Sequence, residues 1–140
     1  DFMPEINSIV KYSRNIQGLK FDCFVTVDCS DLKRTGEVYK VNLDKPVLNI
    51  DHHISNSFFG AVNWVDPKAC CSCEQIYELF KKMKVALDKD AALAIYAGIL
   101  TDTGGFKYTN TTSYTHKICA ELVGFGIDVA QIYKNIYCNL

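Results

Sequence analysis

Apolar and polar positions change rhythm along the chain, and each change marks an element. Phe21 to Val27 is rich in β-formers and nearly continuous in apolar character, which predicts a strand buried on both faces. Ser30 to Glu37 is polar and contains Gly36, so it reads as a loop. Val47 to Ile50 is a second strand. Ala61 to Val65 is a third, closed by Asp66-Pro67, and Pro67 suits the start of the next helix. From Cys70 to Lys84, Ile76, Tyr77, Leu79, Phe80 and Met83 recur at helical spacing. Lys81, Lys82 and Lys84 form the solvated C-terminal end of that helix, where cations are favoured. Ala91 to Leu100 is apolar nearly all round and predicts a buried helix, capped by Asp88 or Asp90. Gly104-Gly105 breaks it, and Phe106-Lys107-Tyr108 alternates like a short strand. Thr111 or Thr112 caps a helix ending at Gly124, and Asp128 caps a last one through Tyr137. Strands and helices in this order predict an α/β fold, a parallel sheet flanked by helices. At 140 residues the chain suits one domain with one core.

Composition narrows the function classes. A hydrophobic content of 49% excludes a disordered chain. A net charge of -1 and a pI near 6.3 provide no broad basic field for a long polynucleotide. The seven cysteines include Cys70-Cys71-Ser72-Cys73, but no second paired cluster of the kind structural zinc sites use. They read as small buried residues in a reducing, cytoplasmic setting. A secreted, disulfide-stabilised domain is the contrary reading. No basic-then-apolar leader and no apolar run of membrane-spanning length stand in the sequence, so no membrane partner is expected. Met3 lies inside the opening Asp1-Phe2-Met3-Pro4-Glu5, which reads as the start of a fragment.

Asp51-His52-His53 follows directly on Val47–Ile50, at a strand end of the kind where open α/β sheets place ligands. Asp28 ends the earlier apolar run, and Asp102 follows Ala97-Gly98-Ile99-Leu100-Thr101. One aspartate after a strand is usually a turn or cap residue. Three carboxylates and a histidine pair, each closing an apolar element, point instead to a hydrolytic metal site. Asp28, His52 and Asp102 supply two carboxylates and one imidazole, a mixture that favours Mn²⁺, Fe²⁺ or Co²⁺ over Mg²⁺. A carboxylate can also bridge two ions, and two ions activate water and steady the leaving oxygen of a phosphate ester. Adjacent residues on an extended segment point to opposite faces. One histidine of the pair then binds metal, and a turn aims the other, His53, at substrate, where it donates a proton or a hydrogen bond. Asp51 holds an imidazole tautomer from behind. Gly104 and Gly105 let backbone N–H groups approach an anion, and serve equally as a helix stop.

Val27-Asp28, Asp51-His52-His53 and Thr101-Asp102-Thr103-Gly104-Gly105-Phe106, in this order, resemble the DHH phosphoesterase superfamily, whose fold is Rossmann-like. Asn49 to Asn56, Phe59 to Asp66, Tyr96 to Phe106 and Asn110-Thr111-Thr112 are similar to one branch of it. That branch comprises small oligoribonucleases that also dephosphorylate 3'-phosphoadenosine 5'-phosphate. The resemblance implies that Asp28 bridges two Mn²⁺ ions, with Mg²⁺ or Co²⁺ as substitutes. It makes His52 and Asp102 ligands of the second ion, and His53 the contact to the scissile phosphate. It implies a short RNA or nucleotide substrate and a homodimer. The family's earlier His-x-x-x-Asp-x-Asp motif and its second, substrate-gripping domain do not occur in the chain. Residues 1–140 are therefore expected to be a partial DHH catalytic domain, inactive alone. RecJ-type exonucleases, cyclic dinucleotide phosphodiesterases and pyrophosphatases share the metal strings. A non-catalytic nucleotide-binding or oligomerisation module is the reading from outside the enzymes.

Overall fold

A computed structural model describes residues 2–12, 20–42 and 44–138. Asp1 and Leu140, where the chain opens and stops, lie outside the described residues. The chain divides into two compact units, Ile9–Lys68 and Asp1–Ser8 with Ala69–Leu140.

The first unit holds three strands, β1 (Phe24–Val27), β2 (Val47–Asp51) and β3 (Val62–Val65), in the order β1-β2-β3. Both pairings are parallel, as the sequence predicts, with Thr26 opposite Asn49 and Asn49 opposite Asn63. Parallel neighbours need a crossover. Between β1 and β2 the chain forms 3-10 turns over Leu32–Asn42, kinked at Gly36 (φ 61), which overlap the plain loop predicted for Ser30–Glu37. β1 is also shorter than predicted and buries one face. Thr26 is enclosed, while Val25 and Val27 stand about half exposed at 50% and 46%. The inward position belongs to the residue that can bond there: Thr26 Oγ1 donates to the Leu48 carbonyl and accepts from Asn49.

The second unit is helical: α1 (Ser72–Met83), α2 (Lys89–Asp102), α3 (Ser113–Val123) and α4 (Val129–Tyr137). Its caps follow the sequence. Asp88 accepts from the Ala91 N–H, Thr112 and Thr115 form a capping box, and Asp128 accepts from the Gln131 N–H. Pro67 does not open α1, which starts at Ser72 after a turn. Ile95, Ile99, Leu100, Ile118, Leu122 and Ile132 make the core, joined by Cys70, Cys71 and Cys119. Among the described residues, which include all seven cysteines, none is in a disulfide. The strand predicted at Phe106–Tyr108 is a turn. Gly104, Gly105 and Phe106 all have positive φ (58, 69 and 66), and the Lys107 and Tyr108 N–H groups both donate to the Thr103 carbonyl. Three left-handed residues in a row cannot extend into a strand. Among the described residues no helix is long and apolar enough to cross a membrane.

Candidate metal centre

The centre is built where β1 and β2 end. Asp28 follows β1 in the left-handed region at φ 59, and its N–H still donates to the Ile50 carbonyl at 2.9 Å. Aspartate tolerates that conformation better than most residues. β2 stops at Asp51, so His52 and His53 lie beyond the ladder. The face alternation expected of them therefore does not apply. Their rings converge, with centroids 4.6 Å apart and planes tilted by 54°.

His52 Nε2 lies 3.4 Å from Asp28 Oδ1. Asp28, His52 and His53 each offer one ligand atom, and the three lie within 4.8 Å of one another. Donors held at about 2.0–2.2 Å from a divalent ion stand roughly 3–3.5 Å apart. The Asp28–His52 separation fits two donors sharing an ion, and the mixed oxygen and nitrogen set fits a borderline metal. The Asp28 side chain is 59% exposed, His53 34% and His52 16%, so a ligand reaches the cluster from solvent.

Behind the cluster, both oxygens of Asp51 have partners. Asp51 is fully buried. His53 Nδ1 lies 2.7 Å from Asp51 Oδ1, and Asn56 Nδ2 donates to Asp51 Oδ2 at 2.6 Å. Burial pushes the Asp51 carboxyl up, but the bonds from His53 and Asn56 outweigh it and hold the group below the ordinary carboxylate value. A turn brings Asn56 there, closed by its N–H on the His53 carbonyl at 3.1 Å. Asn49 and Asn56 receive no role from the motif alone. The available signal is Asn49 itself, an uncharged polar residue inside the apolar run Val47-Leu48-Asn49-Ile50.

Asp102 is the last residue of α2, in the helical unit. Asn110 Nδ2 donates to its carbonyl at 3.1 Å and to that of Cys70 at 2.9 Å. Gly104 is covered by the Tyr108 ring, which leaves no room for a Cβ, whereas Gly105 meets only Tyr137 Oη at 3.9 Å.

Residues 2–99 match the DHH family, N-terminal domain. The chain belongs to the DHH family. Asp28 and Asp51-His52-His53 fall inside the matched stretch, and Asp102 follows just beyond its end. The DHH chain is 34% identical over 107 residues to the bifunctional oligoribonuclease and PAP phosphatase NrnA of Thermus thermophilus, covering 76% of this chain and 33% of that protein. It is 37% identical over 94 residues to NrnA of Bacillus subtilis, covering 65% and 30%. It thus spans about a third of the length of these relatives. Among solved structures it resembles an exopolyphosphatase-related protein from Bacteroides fragilis, with a TM-score of 0.79 and 30% identity, covering 85% of this chain and 36% of that one.

Proposed function

We propose that this chain is part of the catalytic domain of a metal-dependent phosphoesterase that hydrolyses short RNA oligonucleotides, 3'-phosphoadenosine 5'-phosphate, or both. The observation that carries the proposal is the convergence of Asp28, His52 and His53 at two adjacent strand ends in a DHH-family chain. Asp28 and His52 hold the ion, for which Mn²⁺ is the first choice on donor type. When bound, the metal supplies an acidified water and charge stabilisation at a phosphoryl group. His53, tethered through Nδ1 to Asp51, presents Nε2 to a phosphate oxygen or to the leaving group. Asp102 as a further ligand, Gly104 and Gly105 as phosphate contacts, a homodimer and a cytoplasmic setting enter on the sequence alone. The names of the NrnA relatives support the substrate class. The resemblance to an exopolyphosphatase-related protein supports a second reading, in which inorganic polyphosphate is cleaved at the same centre.

The test is Mn²⁺-dependent release of mononucleotide from a short RNA and of phosphate from 3'-phosphoadenosine 5'-phosphate. It is run on the 140-residue chain and on the intact gene product, with pyrophosphate and polyphosphate alongside. Activity of the intact product on either nucleotide substrate supports the proposal. Turnover of the inorganic chains alone moves the second reading ahead, and no turnover of any substrate overturns both.

A further inference from the structure

The buried amides behind the cluster have a fixed direction. Asn56 Oδ1 accepts from the Phe58 N–H at 2.7 Å, and a backbone N–H can only donate. The Asn56 amide is thereby locked, with Nδ2 facing Asp51 Oδ2 at 2.6 Å and Asn49 Oδ1 at 2.8 Å. Asn49 is locked in the same way. Its Nδ2 meets the Cys29 carbonyl at 3.0 Å, a group that can only accept, and Asn56 Nδ2 reaches the same carbonyl at 3.3 Å. Two backbone groups therefore orient both amides, which removes the usual ambiguity of an asparagine flip. The direction carries on to the ring. With Asn56 donating to Oδ2, the plane of the Asp51 carboxylate is held and Oδ1 is turned toward His53 Nδ1 at 2.7 Å; a carboxylate oxygen accepts there, which puts the ring proton on Nδ1 and the lone pair on Nε2.

We propose that Asn56 is a positioning residue: its side-chain amide ties Asn49, which holds the Cys29 carbonyl next to Asp28, to the Asp51 carboxylate, and by holding that carboxylate fixes which His53 nitrogen faces substrate. The consequence for catalysis rests on the function proposed above, but the tautomer does not. Asn49 is the second member of the relay and sets the far end of Asn56. Both ends of the centre, the Asp28 bend and the His53 ring, then answer to one buried pair of amides, of which Asn56 is the member at the Asp51 carboxylate.

The experiment compares the intact gene product with Asn56→Ala, Asn56→Asp and a control, Asn63→Ala. Asn63 also bonds through its side chain, but among the described residues its partners are Gly60 and Phe58. Asn56→Asp keeps an acceptor for the Phe58 N–H and removes the donor to Asp51, separating the turn from the relay. Ring ¹⁵N–¹H correlation spectra of the metal-free proteins at about pH 8, where an ordinary histidine is neutral, read the His53 tautomer. In the wild type the proton is expected on Nδ1, and in both Asn56 variants it is shared between the two nitrogens. At saturating Mn²⁺ those variants lose about tenfold or more in kcat, with KM little changed. Asn63→Ala, though it lowers the melting temperature, keeps both the tautomer and kcat. A wild-type His53 protonated at Nε2, or Asn56 and Asn63 variants alike in tautomer and kcat, overturns the proposal. Should the Asn56 variants not fold, the wild type decides. Its Asn56 side-chain amide protons are expected to exchange slowly, and fast exchange overturns the relay. A wild type that hydrolyses no phosphate ester removes the proposed function, while the tautomer comparison still decides the role of Asn56.

Discussion

Asp28 combines two demands, a left-handed backbone at φ 59 and a carboxylate aimed at His52. Substitution separates them. Asparagine tolerates the left-handed region as well as aspartate does, so Asp28→Asn keeps the bend and removes the charge. The melting temperature is expected to change little. Mn²⁺ affinity, measured by calorimetry on the intact gene product, falls by about a hundredfold or more, since an anionic ligand to the cation is lost. Mn²⁺-dependent turnover disappears with it, and retained turnover removes Asp28 from the centre. At this scale the sequence discloses what is local. Asp51-His52-His53 is contiguous, and the apolar run ahead of it is enough to place it at a strand end. The convergence of the two rings is not legible, because it depends on β2 ending one residue before His52. Nor is the role of Asn56, which depends on a turn returning its amide to a buried carboxylate.

Among the elements, α1, α2 and α3 are joined by contacts that make distinct predictions. Tyr77 Oη donates to Glu121 Oε2 at 2.5 Å, and Lys81 Nζ reaches Oε1 at 2.8 Å, tying α1 to α3. The bond from Lys81, then that from Tyr77, holds the Glu121 carboxyl below its ordinary value. A folded-state pKa lowered in this way contributes stability that is present above the unfolded carboxylate pKa and is lost as pH falls through the folded value. Glu121→Gln is therefore expected to melt below wild type at pH 7, and the gap should close in acid. The neutral gap is about 1 kcal/mol, carried by the tyrosine bond, because the lysine partner is half exposed and screened. A gap independent of pH removes the charge from the contact. Gly98 shows the opposite conflict within α2. Alanine there gains up to about 1 kcal/mol of helix propensity, but its Cβ would meet the Cys73 Sγ on α1. Overpacking at a helix contact costs about 1–3 kcal/mol. Gly98→Ala should lower the denaturant midpoint, and adding Cys73→Ala should restore it. A midpoint that rises with Gly98→Ala alone refutes the close approach. The starts of α2, α3 and α4 are legible because they are written locally, in Asp88, Thr112 and Asp128, whereas α1 opens after Cys71 without a side-chain cap. The turn at 104–108 is not, because Phe106 takes a backbone conformation that its alternating neighbours do not reveal.

For the whole molecule, the parallel sheet follows from strands separated by long connections, and that much is visible in the order of apolar runs. The division into a strand unit and a helical unit is not visible there, since it depends on which runs pack with which. It matters for the centre because Asp28, His52 and His53 belong to one unit and Asp102 to the other. Hydrogen exchange of the intact gene product, with and without Mn²⁺, tests both assignments in one experiment. An ion that binds only the folded state slows exchange of every amide whose opening dismantles its site. The stabilisation is about 2.7 kcal/mol, or roughly a hundredfold in rate, at a hundred times the dissociation constant. Protection is expected to rise over residues 26–30, where the Asp28 N–H is bonded, and over 50–57, which includes the turn closed by Asn56. The amides around Ile118 and Leu122, buried in the helical core, should not respond unless the units open together. Residues 101–105 carry the decision on Asp102. Protection rising there in step with 26–30 makes Asp102 a ligand of the same ion. Protection confined to the strand unit leaves Asp28 and His52 to hold the metal without it, and reassigns Asp102 to the end of its helix. No change in the strand unit removes the metal centre itself.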